Sequence, residues 1–140
     1  MSRRRSALAG AAAALVWAAV EPLDRRLFRC DYSDVAMLGK AVTRGPLWPV
    51  AGLAVHATNG AVFGLAFHEA RARVRRGPVR LGVQLALAEN LALFPLAPLI
   101  DRFHPARGEP GVAQLATARG FAQATVRHAL FGALLGRLAQ

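Results

Sequence analysis

Residues 47–70 have the sequence LWPVAGLAVHATNGAVFGLAFHEA, which opens with a long run without an ionised side chain. That run, residues 47–67, is 21 residues long. As a helix it would measure about 31 Å, which matches the thickness of the hydrocarbon core of a bilayer. The stretch therefore predicts a membrane-spanning helix in an all-α protein.

Three other tracts are also apolar, at residues 7–20, 81–100 and 120–136. The tract at 81–100 is long enough to span a bilayer, whereas the first is short and the last contains Arg127 and His128. We interpret all four as spans, because the charged residues fall in blocks between them. The 140 residues then form a single integral membrane domain, a four-helix transmembrane bundle. Its spans are predicted at about residues 7–21, 47–69, 80–100 and 116–137.

Proline and serine positions predict where helices begin and end. Pro22 cannot donate a backbone hydrogen bond, so the first span should end near Glu21, with Trp17 close to the outer surface of the membrane. Ser33 followed by Asp34 predicts a short capped helix over DVAMLGKAV, with apolar residues on one side. We expect it to be an interfacial helix on the outer surface between spans 1 and 2. An ordinary connecting loop is the alternative.

The chain is strongly basic, with 18 lysine and arginine residues against 8 acidic ones and a net charge of +10. Arginines at positions 3–5 precede the first tract, and five more lie in the link between the second and third tracts: Arg71, Arg73, Arg75, Arg76 and Arg80. The positive-inside rule then places both termini and this inner link in the cytoplasm, where the link would contact anionic lipid. We predict no nucleic-acid partner, because the span at 47–67 is apolar nearly all round and lacks a basic face.

Seven polar residues lie within the apolar tracts or at their ends. They are Glu21, His56, Asn59, Glu89, Asn90, Arg127 and His128. Such side chains are unfavourable against lipid, so we expect them to face other helices. The helical rise places them in the outer half of the bilayer or near its midplane. The sequence therefore predicts an intramembrane polar cluster, which either holds the helices together by hydrogen bonds or relays protons or a cation.

Glu89 and Arg127 give the most specific prediction within this cluster. Both lie about 16–18 Å below the outer edge of the membrane if the fourth helix enters near Ala116. An unpaired charge at that depth is unfavourable. We therefore expect the two side chains to pair directly, or through Asn59 or Asn90.

A metal or haem site is the alternative interpretation of the same residues. Two imidazoles with one carboxylate, here His56, His128 and Glu89, are a common donor set for iron or zinc, and two histidines can also bind haem. The sequence has no ExxH, HxxxH or HExxH spacing, so we predict no cofactor. Cys30 is the only cysteine, which excludes an internal disulfide and a cysteine metal cluster.

The sequence does not point to an enzyme, because it has no GxSxG motif and no glycine-rich phosphate loop. Small residues recur on helix faces instead: Gly52 and Gly60 beside His56 in the second span, and Gly132 beside His128 in the fourth. Such faces let helices pack closely and favour association between copies of the chain as a homo-oligomer. The predicted function is an interaction or transport-related membrane subunit.

Several short motifs follow one another in a defined order: WxxxEP, a histidine in the second span, the arginine-rich inner link, FPL in the third span and HALFG in the last. The residues that carry them are Trp17, Glu21, Pro22, His56, Phe94, Pro95, Leu96 and His128. In this order they resemble the YagU-type family of small bacterial inner-membrane proteins. The resemblance implies an integral protein of the bacterial inner membrane and carries over no particular activity.

The topology can be tested with reporter fusions. Fusions after Arg76 and after Gln140 should both report a cytoplasmic position, because the arginines between spans 2 and 3 hold that link inside. A fusion after Gly108 should report the opposite side. An external signal from the fusion after Arg76 would contradict the predicted topology.

Overall fold

The computed structural model describes residues 2–140, and the regular elements in that range are helices. They are α1 (Arg3–Phe28), α2 (Asp34–Val42), α3 (Trp48–Arg73), α4 (Pro78–Leu93), α5 (Ala97–Phe103) and α6 (Ala118–Leu138). A turn of 3-10 helix at Phe94–Leu96 joins α4 to α5. An isolated β-bridge links Tyr32 to Val112, and residues 2–140 contain no β-strand. The predicted all-α fold is confirmed.

Within residues 2–140, three helical segments of 26 residues each are long and apolar enough to cross a membrane. They are α1, α3 and the continuous segment Pro78–Phe103, which α4 and α5 form together. α6 has 21 residues but is not apolar enough to meet the same criterion, because Gln123, Arg127 and His128 lie near its middle. The first three predicted spans thus correspond to helices of sufficient length and apolarity, and the fourth corresponds to a more polar helix.

The helix does not end near Glu21, where the first span is predicted to end, because α1 continues through Pro22 for almost two further turns. Proline removes a single backbone hydrogen bond, and the remaining bonds of the helix carry it onward. α1 ends where Arg29 adopts a left-handed conformation, with φ of 49°. As a consequence Asp24 lies on a regular helix and projects from it at a defined position.

The bundle consists of two helix pairs, α1 with α3 and α4 with α6. Contacts between α1 and α6 join the pairs, whereas α3 and α4 hardly touch. Glycines allow the close approach within each pair. A Cβ added at Gly10 would lie 2.0 Å from the Gly60 carbonyl oxygen, and one added at Gly132 would lie 2.4 Å from that of Gly82. The small-residue faces predicted for α3 and α6 are therefore packing faces.

α2 begins at Asp34 as predicted, capped by Ser33, whose hydroxyl accepts a hydrogen bond from the Ala36 N–H at 3.1 Å. α2 follows α1 in the chain and packs along α3. A Cβ added at Gly39 would lie 2.0 Å from the Trp48 carbonyl oxygen. The small residues on this side of α2 let the two backbones meet, which brings the N-terminus of α2 against α1 and α6.

The core has two apolar clusters. The larger lies between the long helices and contains Trp17, Phe67, Leu81, Phe131 and Leu135, among others. The smaller lies where α2 meets α5 and the segment that precedes α6, and it contains Cys30, Tyr32, Met37, Ala97, Val112 and Leu115. Together they enclose the inner ends of the polar side chains described below.

The glycine contacts predict a selective sensitivity to added methyl groups. We expect Gly10→Ala and Gly132→Ala each to lower the free energy of unfolding by about 1–3 kcal/mol, because the new Cβ would collide with a backbone carbonyl of the partner helix. Gly77→Ala is the matched control, since nothing lies within 4 Å of its added Cβ. Thermal unfolding in detergent, followed by circular dichroism, measures the difference. Equal melting temperatures for the three variants would contradict the packing.

Candidate functional site

Arg127 of α6 is the most deeply buried charged residue of the part of the chain that the structure describes, at 1% exposure. Its guanidinium donates to both carboxylate oxygens of Asp24, to Asp34 at 2.8 Å and to the Tyr32 carbonyl oxygen at 2.9 Å. The Glu21 carboxylate lies 3.7 Å from the same guanidinium. α1, α2 and α6 thus meet at one cation, whose ion pairs and hydrogen bonds compensate for its burial.

Glu21 and Tyr32 complete this ion network. Glu21 accepts hydrogen bonds from the Ser33 hydroxyl and, at 2.8 Å, from the Asp34 N–H, so it binds the N-terminus of α2 and positions Asp34. The Tyr32 hydroxyl donates to the Asp34 carboxylate. Burial raises the pKa of Tyr32 well above its usual value, so the phenol keeps the proton that it donates.

The predicted contact between Glu89 and Arg127 is wrong. Arg127 directs its donors to carboxyl groups of α1 and α2, and Glu89 lies instead beside His128, with its Oε2 3.9 Å from the imidazole Nε2. The longer course of α1 brings Asp24 within reach of the guanidinium, and the packing of α2 does the same for Asp34. Asp24 and Asp34 therefore both contact Arg127, which the predicted helix boundaries did not lead us to expect.

A cavity of about 310 Å³ lies between the long helices, next to the ion network. Five of the seven residues predicted to form the polar cluster line it: His56, Asn59, Glu89, Asn90 and His128. The other two, Glu21 and Arg127, belong to the ion network instead. Asp34 lines the cavity and also contacts Arg127, so it joins the two sets.

α3 and α4 border the cavity on one side. These two helices hardly touch each other, and both contribute residues to the wall. Asn59 of α3 lines the cavity and is also exposed on the surface of the bundle, and Glu89 of α4 is half-buried. The polar interior therefore communicates with the outside through the gap between α3 and α4.

A hydrogen bond sets the tautomer of His128. Its Nδ1 lies 2.7 Å from the Ala124 carbonyl oxygen, and because a carbonyl only accepts, Nδ1 carries the proton of the neutral ring. The Nε2 atom beside Glu89 is then protonated only in the imidazolium form. Glu89 therefore gains a cationic neighbour only when His128 is charged.

Two ring nitrogens of cavity-lining residues, Trp17 Nε1 and His56 Nε2, are buried without a hydrogen-bond partner. Trp17 is 5% exposed and His56 is 7% exposed. Their rings pack edge to face with centroids 5.4 Å apart, and Trp17 packs in the same way on His128 at 5.1 Å. A buried polar atom without a partner is unfavourable by about 1–3 kcal/mol, so a ligand that supplies the missing bond would bind favourably.

Sequence reasoning missed Trp17, Asp24 and Asp34 as members of the site. Trp17, which was expected near the outer surface of the membrane, has its ring buried among the helices of the bundle. The signal for Trp17 was its position four residues before Glu21, which places both side chains on one helix face. Asp24 would have been identified only if the first helix had been predicted to continue through Pro22.

A second hollow, of about 650 Å³, is lined mainly by the segment 104–114 at the end of the bundle. Its acidic groups are engaged: Asp101 accepts two consecutive backbone N–H groups at 2.7 and 2.8 Å. Asp31 accepts the Gly111 N–H at 2.9 Å, and this bond, together with Arg25, holds the pKa of Asp31 below its usual value. We therefore assign these groups a structural role in folding the segment onto the helices.

Within residues 2–140, no three histidine, cysteine, aspartate or glutamate side chains converge as a metal-binding group. The candidates named from the sequence, His56, Glu89 and His128, all line the one cavity. Of the three, Glu89 and His128 are direct neighbours. The arrangement offers a carboxylate–imidazole pair with a second imidazole at a distance.

Comparisons of the chain with protein-family models, with curated proteins and with solved structures found no match. The resemblance to the YagU-type family stays a prediction.

The ion network predicts an asymmetric response to mutation. Arg127→Gln leaves three carboxyl groups together without their guanidinium and should lower the free energy of unfolding by about 3–5 kcal/mol. Arg119→Gln, an exposed arginine on the same helix, is the matched control and should have little effect. The double variant Arg127→Gln/Asp24→Asn should be less destabilised than the sum of the single variants. Denaturant titration of the detergent-solubilised protein measures all four, and strictly additive effects would contradict direct pairing.

Proposed function

We propose that this chain is a multi-pass protein of the bacterial plasma membrane that binds a small solute in its central cavity, as a transport-related subunit. The composition of its outer surface supports placement of the protein in a lipid bilayer. Large apolar side chains are exposed along the long helices, among them Leu8, Leu23, Val50, Val62, Leu91 and Leu99. An apolar surface of this extent is typical of a protein that contacts lipid or another protein.

The arrangement of the arginines supports an orientation with both termini in the cytoplasm. Arg3 donates to Glu69 at 2.6 Å, and Arg71 donates to the Ala139 carbonyl oxygen. Both termini and the link between α3 and α4 therefore lie at one end of the bundle. This end carries the arginine-rich link, which the positive-inside rule favours on the cytoplasmic side and which suits anionic lipid headgroups.

The observation that carries the proposed function is the incomplete satisfaction of the cavity's polar groups. A cluster that only held helices together would be expected to pair its charged members, as the carboxyl groups around Arg127 are paired. Glu89 instead has His128 at 3.9 Å as its nearest ionisable partner, and the ring nitrogens of Trp17 and His56 have no hydrogen-bond partner. The cavity thus has the composition of a binding site.

The pairing of Glu89 with His128 supplies a means of coupling a solute to protons. A cation beside the Glu89 carboxylate would compete with the imidazolium form of His128, because both are attracted to the same negative charge. Binding of the cation would then release a proton, and uptake of a proton would favour its departure. Intramembrane carboxyl and imidazole groups serve this purpose in many pumps and transporters.

A flux assay tests the proposed function. Liposomes that contain the purified protein and a trapped pH-sensitive dye should show a proton flux under an imposed potassium diffusion potential, above that of empty liposomes. Glu89→Gln should lower this flux by at least about tenfold, because the amide can neither ionise nor release a proton. Glu69→Gln is the matched control, since Glu69 lies at the arginine-rich end of the bundle. Equal fluxes with and without protein between pH 5 and 8 would contradict a transport function.

A further inference from the structure

Aromatic rings form part of the walls of the cavity. Trp17, Phe63 and Phe131 form a connected set, with ring centroids 6.0 Å apart for Trp17 and Phe131 and 5.2 Å apart for Phe63 and Phe131. Phe94 contributes a further ring near the outer end of α4. Aromatic rings attract cations through their quadrupoles, and several rings around one space are the arrangement that recognises alkylated ammonium groups.

Two acidic side chains, Glu89 and Asp34, line the cavity. Of these only Glu89 has no guanidinium or ammonium group as a partner, because Asp34 is paired with Arg127. Among the residues that line the cavity there is no lysine or arginine. The guanidinium of Arg127, which is next to it, is already engaged by Asp24, Asp34 and the Tyr32 carbonyl. A cationic ligand would therefore meet the Glu89 carboxylate with the imidazolium form of His128 as its competitor and with no lysine or arginine beside it.

The unpaired ring nitrogens of Trp17 and His56 indicate that the ligand carries a group that forms hydrogen bonds. Trp17 Nε1–H is a donor only, and it is buried without an acceptor. His56 Nε2, also without a partner, can donate or accept according to its tautomer. An oxygen atom on the ligand would satisfy the indole, and a hydroxyl would satisfy either state of the imidazole. The volume of about 310 Å³ limits the whole ligand to a small molecule.

From these features we infer that the cavity binds a small organic ammonium ion that carries a hydroxyl or carbonyl oxygen. The ammonium group lies beside Glu89 among the aromatic rings, and the oxygen accepts from Trp17. This inference rests on the proposed function and names the class of solute for the same cavity. The gap between α3 and α4, at Asn59, gives the ion its route.

The probes are choline, a hydroxyalkyl ammonium ion, and 3,3-dimethyl-1-butanol, its neutral isostere. Binding is followed by the fluorescence of Trp17 in the Trp48→Phe variant, in which Trp17 is the single tryptophan. Choline should give a saturable change with a Kd at least about tenfold lower than that of the neutral alcohol, because only choline carries the charge that Glu89 and the rings attract. This comparison needs no mutation within the cavity.

Charge variants then assign the effect to one side chain. Glu89→Gln should abolish the preference for choline, Glu89→Asp should retain it in part, and Glu69→Gln should leave it unchanged. Circular dichroism verifies that each variant is folded. If Glu89→Gln does not fold, the reduced preference of Glu89→Asp still tests the role of the carboxylate. Equal affinities for choline and the alcohol, or no saturation by choline, would overturn the inferred solute class.

The flux assay separates this inference from the proposed function. If choline does not bind but the proton flux still depends on Glu89, the transport function stands and the solute class is wrong. If choline binds and no flux is found, the cavity is a binding site and the transport function is wrong. If choline does not bind and no proton flux is found, both the proposed function and the inferred solute class are wrong.

Discussion

A guanidinium that is 1% exposed must be surrounded by carboxyl groups, and in this protein those groups come from two other helices. Arg127 is therefore the point at which α1, α2 and α6 are held in register. α1 runs past Pro22 and presents Asp24, and α2 directs its first residue, Asp34, towards the same cation. Glu21 binds the N-terminus of α2 and so prevents that helix from moving away.

Glycine contacts position the rest of the bundle. α1 approaches α3, and α4 approaches α6, to backbone contact, and because the pairs are joined through α1 and α6, their other members stay apart. The cavity is the space that this arrangement leaves. His56 lies four residues from both Gly52 and Gly60, and His128 lies four residues before Gly132, so each histidine shares a helix face with the glycines. The contacts that tie the helices together therefore also bring the imidazoles to the cavity.

The ion network and the cavity beside it differ in how many of their polar groups have an ionic or hydrogen-bonding partner. Around Arg127 every carboxyl group has a cationic or hydrogen-bonding partner, which is the condition under which buried charges stabilise a structure. In the cavity the carboxylate of Glu89 and the ring nitrogens of Trp17 and His56 are left over. The first group has the character of a structural support and the second that of a binding site, with Asp34 shared between them.

Helical content, the apolar segments, the Ser33 cap of α2 and the small-residue faces follow from the local sequence, because hydrophobic period, capping and side-chain size act within a few residues. Helical rise also put seven polar residues in the outer half of the bilayer or near its midplane, and five of the seven line one cavity. The partners of Arg127 could not be predicted from local sequence patterns or from helical rise. They lie 93 and 103 positions away in the chain, and their approach depends on how far α1 continues beyond Pro22 and on how α2 packs along α3. Contacts between distant residues arise from the packing of whole helices, and no local pattern records that packing.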